Sequence, residues 1–210
     1  MAQAILLRES TELRLDEAKL TELREMNAQG KPITVIGLLT TCDKKNGNGR
    51  IYPYDIFKKE SDRYLDEVVK KGYAMGECDH ADNAEVALKH ASHVIDDMWW
   101  KDGDDGSKQM FGKIRLLNTP MGQIAKEIVL GGIPLGISSR AVGSVEKDHH
   151  RDADVVQPDF HLITYDIVAT PSNPGSFLSI SESKKIVFNP DKTLPSEFRI
   201  KEALRELLKK

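Results

Sequence analysis

The chain is poor in cysteine and aromatic residues and has no long apolar run. Its two cysteines, Cys42 and Cys78, form no CxxC pair. That excludes a disulfide framework and reads as free thiols in a reducing cytosol. No stretch approaches the roughly 18–20 apolar residues needed to cross a bilayer. The opening MAQAILLREST lacks the basic start and longer apolar stretch of a secretory signal. Basic residues number 30 and acidic residues 33, a net charge of −3. No basic field therefore draws the chain to nucleic acid or an anionic membrane. What is present, 40% hydrophobic and 30% charged residues over 210 positions, suits one soluble globular domain that builds its core without disulfides or metal.

Three regions separate by composition. Residues 1–30 carry Leu13, Leu20 and Leu23 near helical spacing amid many charges, with a stop at Asn27 to Gly30. They read as an exposed helical arm, either simply solvated or serving as a docking or removable arm. The body, 31–179, begins with the β-branched run ITVIGLLTTCD, a strand, and the turn NGNGR. A helix follows over YPYDIFKKESDRYLDEVVKKG, capped at Gly72. AEVALKHASHVIDDMWW and SKQMFGKIRLLN read as strands joined by an acidic turn, and TPMGQIAKEIVLGG as a helix with a Thr N-cap. IPLGISSRAVGSVEK and FHLITYDIVATPSNP read as strands flanking the polar loop DHHRDAD. The tail, 180–210, is broken by Pro190 and Pro195 and ends in an amphipathic helix that needs a surface to lie on. Strands without regular βαβ alternation predict an α+β fold, an antiparallel sheet or barrel with helices packed outside it.

Three segments could carry chemistry. GISSR, from Gly136 to Arg140, presents two serines and an arginine after a glycine stop. A serine nucleophile needs a base and donors for an oxyanion. GECDHADN places His80 in a polar, loop-like stretch, and histidine is the side chain that titrates near neutrality. Asp166 interrupts an apolar strand, where a carboxylate is costly unless paired, and could orient an imidazole. Paired strand serines, a loop histidine and a satisfied aspartate are each commonly structural. His80, His90 and His93 with Asp79 or Asp82 allow a metal reading, disfavoured because His90 and His93 would face opposite sides of a strand. His149 and His150 read as solvated, and Met98-Trp99-Trp100 as core or edge packing.

Taken together, the segments resemble the prohead proteases of T-even-type bacteriophages. The resemblance rests on Gly49-Arg50-Ile51-Tyr52-Pro53, Gly76 to His80, Asp96 to Lys101, Gly136 to Ser144 and Asp166 to Ser172, in that order. It covers about residues 33–175. It implies Ser138 as nucleophile, His80 as base and Asp166 as the group that holds the imidazole. Arg140 and Ser139 would frame the oxyanion site. It also implies a fold similar to the herpesvirus assembly proteases, a mostly antiparallel β-barrel wrapped by helices. No cofactor and no metal are expected. The family usually has Gly where this chain has Ala141, which would strain the oxyanion turn if positive φ were needed there.

The family cleaves after glutamate preceded two residues earlier by Leu or Ile. Such triplets crowd both ends of this chain, making Glu9, Glu17, Glu22, Glu25, Glu182, Glu202 and Glu206 candidate self-cleavage points. Arg50, Lys113 and Arg115 are candidates by type for the cation of a glutamate pocket. The implied substrates are phage scaffolding or core proteins and the major capsid protein, met inside the assembling prohead in the host cytoplasm, with room for a homo-oligomer and no nucleic-acid or membrane partner.

Overall fold

The structure is a computed structural model in which residues 5–12, 17–79, 84–169 and 179–180 are described, the first and last of these as backbone only. The β-branched run forms β2 (Thr34–Thr41). It pairs antiparallel with β6 (Lys108–Leu116), and β6 pairs with β5 (Ala91–Asp102). A short strand, β4 (Met75–Glu77), adds to the far edge of β5, and β11 (Ser179–Ile180) adds to β2. The five-stranded order is β11-β2-β6-β5-β4. A second sheet places β7 (Gly136–Gly143) between β1 (Ile5–Glu12) and β10 (His161–Val168), antiparallel to both. A third, small sheet has the order β3-β9-β8, from Arg50–Ile51, Ala153–Val156 and Val145–Asp148.

Helices α1 (Glu17–Ala28), α2 (Tyr54–Tyr64) and α3 (Pro120–Leu130) join these strands in a mixed α+β fold. In α3 the sequence signals act as read: Thr119 Oγ1 accepts from the Gly122 N–H at 3.2 Å, and Pro120 fills the first turn. A π-type turn over Leu65–Val69 continues α2 up to Gly72, whose φ is +76°. Leu39, Phe57, Tyr64, Ile95, Ile114, Ile137 and Tyr165 belong to one core cluster and are essentially inaccessible to solvent.

The two larger sheets meet where β4 crosses β10. Cys78 and Ile167 form an isolated parallel bridge. The Asp79 N–H donates to the Ile167 carbonyl at 2.8 Å, and Thr164 Oγ1 donates to the Met75 carbonyl at 2.7 Å. Gly76 makes this approach possible. A Cβ there would lie 2.0 Å from the Tyr165 carbonyl oxygen and 2.4 Å from the His93 ring, closer than any side chain tolerates.

Several expectations change. The strands of the described residues fall into three sheets rather than one closed barrel. The N-terminal arm opens with a strand, because β7 offers an edge that residues 5–12 fill; helix begins only at Glu17. That helix is docked rather than solvated: Leu20 and Leu23, three apart and so on one face, are buried, and Arg24 Nε donates to the Leu130 carbonyl at 3.0 Å. Residues 84–90 precede the strand read there, and part of the polar loop after β8 returns as β9. Met98 and Trp100 pack at the core, while Trp99 stacks on Phe111 with ring centres 6.3 Å apart.

Candidate active site

β7 is the middle strand of its sheet, and alternation assigns its side chains to two faces. Ile137, Ser139 and Ala141 share one face; Ser138 and Arg140 share the other. Cross-strand register sets Asp166 opposite Ser138 and Tyr165 opposite Ser139. Ser138, Arg140 and Asp166 therefore lie on one face. All three are fully buried. The hydroxyls of Ser138 and Ser139 have no hydrogen-bond partner among the described residues. A buried hydroxyl left without any partner costs about 1–3 kcal/mol. Ser139 faces the tyrosine-lined core side, and Ser138 the charged side.

That charged side is a compact network. Arg140 Nη2 donates to Asp166 Oδ1 at 3.0 Å and lies 3.3 Å from Glu77 Oε2. Arg140 Nη1 donates to the Glu85 carbonyl at 3.2 Å. The Glu77 N–H donates to Asp166 Oδ1 at 3.1 Å, and the Ala87 N–H donates to Glu77 Oε1. Glu77 is 1% exposed, and Arg140 and Asp166 are 0% exposed. Three charges out of water are tolerable only because each meets an opposite charge or donor. The guanidinium expected at an oxyanion site is instead turned to two carboxylates. Ala141 causes no strain, since the positive-φ residues other than glycine are Asp43, Asp79 and Asp152.

His93 lies beneath the same crossing. It is fully buried, with Nδ1 2.9 Å from Ser92 Oγ. Burial pushes its pKa down to about 4, against the upward pull of the Asp166 charge and the Tyr165 backbone. The ring is therefore neutral at pH 7.

His80 lies outside the described residues, as do Glu182, Glu202 and Glu206. The residue before it, Asp79, has a φ of +66° and is bonded to Ile167, the neighbour of Asp166. Glu9 sits in β1, opposite Ser139 in register. Glu17, Glu22 and Glu25 belong to α1. The three cations considered for a glutamate pocket lie on other sheets than Ser138: Arg50 is on β3, Lys113 and Arg115 on β6, and Arg115 Nη2 donates to Asp96 at 2.9 Å. Glu77 and His93 were not foreseen as parts of this network. The usable signal for Glu77 was its place in the GExxH segment, an acid next to a glycine that must stay small.

The solved structure of the bacteriophage T4 capsid assembly protease superposes with a TM-score of 0.63 at 25% identity, over 79% of this chain and 98% of that one. The prohead core protein protease of Enterobacteria phage T4 is 33% identical over 150 residues, 70% of this chain and 68% of the relative. Residues 9–185 match the sequence profile of a family described as "Prohead core protein serine protease". With most of its length inside that match, the chain belongs to the prohead core protein serine protease family.

Proposed function

We propose that this protein is a serine endopeptidase that matures phage proheads, with Ser138 as nucleophile, His80 as general base and Asp166 orienting the base. The observation that carries the reading is the Ser138 hydroxyl: buried, without a hydrogen-bond partner among the described residues, and opposite Asp166 in register. The anchoring of Asp79 beside Asp166 supports bringing His80 to the same face. His80 takes the Ser138 proton as Oγ attacks the peptide carbonyl. The base then protonates the leaving amine, and water releases the acyl-enzyme.

With the Arg140 side chain turned to carboxylates, the oxyanion donors are main-chain N–H groups of β7. Successive N–H groups of a strand point to opposite edges. Of the Ser139 and Arg140 N–H groups, one faces β10 and the other faces β1. An N–H on the β1 edge becomes available only when β1 leaves. This supports activation by removal of the N-terminal arm. The triplet Leu7-Arg8-Glu9 is already extended, whereas Leu20-Thr21-Glu22 and Leu23-Arg24-Glu25 lie in α1 with Leu20 and Leu23 buried. Glu9 is therefore the favoured first cut at that end, and residues 180–210 supply the other processing region.

Cleavage after Glu in Leu/Ile-x-Glu sequences, with scaffolding or core proteins and the major capsid protein as substrates inside the prohead, completes the reading. A serine-directed fluorophosphonate tests it. The processed protein should carry the label on the peptide containing Ser138 and lose hydrolysis of a Leu-x-Glu peptide in proportion. Label on another serine, or none with peptide hydrolysis intact, would overturn the assignment. Deleting residues 183–210 should raise hydrolysis of the added peptide if the tail occupies the groove; unchanged or lower activity removes that role.

A further inference from the structure

The Glu77–Arg140 contact joins two segments that carry the proposed chemistry, and it does so at both ends of one stretch of chain. His80 belongs to segment 78–87. At the entry to this segment, Glu77 is fixed by its N–H to Asp166 Oδ1 and by its carboxylate to Arg140. At the exit, the Glu85 carbonyl accepts from Arg140 Nη1, and the Ala87 N–H donates to Glu77 Oε1. One buried acid–base pair thus holds the chain going in and the chain coming out. The base of that pair stands two residues from Ser138 on the same face of β7.

We propose that Glu77 and Arg140 are positioning residues, whose pair sets the His80-bearing segment against the Ser138 hydroxyl. The inference rests on Ser138 and His80 being nucleophile and base. The Glu77 and Arg140 side chains do not reach the substrate in this proposal; both act through the segment they tie. The chemistry explains the residue types. Arg has enough donors in a fixed fork to reach two carboxylates and a carbonyl together, which a lysine cannot do. A glutamate at 77 has two oxygens, so it answers Arg140 with one and Ala87 with the other. Burial at 1% and 0% exposure removes competition from water, so the geometry is held firmly. Displacing a catalytic group by about an ångström costs on the order of a hundredfold in rate.

Two measurements on the full chain test this. In a Ser138→Ala background, which prevents self-trimming, Glu77→Ala should raise amide hydrogen exchange in 78–87 by at least about tenfold while β7 and β10 stay protected. In the Ser138 protein, Glu77→Ala should lower kcat for a Leu-x-Glu peptide by about a hundredfold with KM nearly unchanged. Glu77→Gln keeps an acceptor for Ala87 and should recover part of that loss. Arg140→Lys, which keeps charge but loses the fork, should resemble Glu77→Ala. Unchanged exchange in 78–87, or exchange that rises equally across β7 and β10, would overturn the inference, as would a fall in activity that lies wholly in KM. Self-trimming by the Ser138→Ala protein would instead overturn the enzyme reading, and the exchange result would still report on the tie.

Discussion

His93 makes stability depend on pH in a calculable way. Its pKa is about 4 in the folded protein against a reference value of 6.5. Between these values the unfolded chain binds a proton that the folded chain refuses, so stability rises with pH across that window. Equivalently, the contribution is intact above about pH 7 and is lost as pH falls through 6.5 toward 4. A difference of about 2.5 pKa units corresponds to roughly 3 kcal/mol between pH 7 and pH 4, a slope near 1.2 kcal/mol per pH unit around pH 5. Replacing His93 by Asn removes the titration. The variant loses neutral-pH stability by leaving space beside Gly76, but that loss is independent of pH. Urea unfolding of both proteins between pH 4 and pH 8, each carrying Ser138→Ala, isolates the effect. The stability difference between them should shrink by about 3 kcal/mol as pH drops from 7 to 4. A constant difference would show that the imidazole is not neutral and enclosed as described.

Three further outcomes follow from packing. Gly76→Ala inserts a methyl group 2.0 Å from the Tyr165 carbonyl oxygen; it should destabilise by about 3 kcal/mol or more and separate β4 from β10, seen as lowered Tm and lost protection of 75–79. Leu23→Ala should cost about 2–5 kcal/mol in chemical denaturation, because Leu23 belongs to the main core and not to a solvated arm. Ser138→Ala should leave stability unchanged or raise it by about 1 kcal/mol, since it removes a hydroxyl that has no partner among the described residues.

The strands and helices with strong local patterns were legible in the sequence. β2, β6 and β10 are alternating or β-branched runs, and α3 carries its cap at Thr119 and its stop at Gly131-Gly132. β4 was not, because three residues have no period to read and it forms only by pairing with β5. β1 differs from its local pattern for a related reason: its charges and leucines suit a helix, while its strand state comes from the open edge of β7, far away in the chain. Asp166 stood out as a charge in an apolar run, and the structure supplies Arg140 and the Glu77 N–H as its donors. The pairing of Glu77 with Arg140 could not be read, since no local rule links residues in a short strand and a distant one. For the same reason the motif alone points Arg140 to an oxyanion, while its two carboxylate partners arise only from the fold.

The most direct test of the account is intact mass. The chain and its Ser138→Ala variant are incubated side by side and weighed over time. The account predicts that the unaltered chain loses terminal pieces at bonds following glutamate while the variant keeps its full mass. Trimming of the variant at those same bonds, or an unaltered chain that never changes mass, would contradict it.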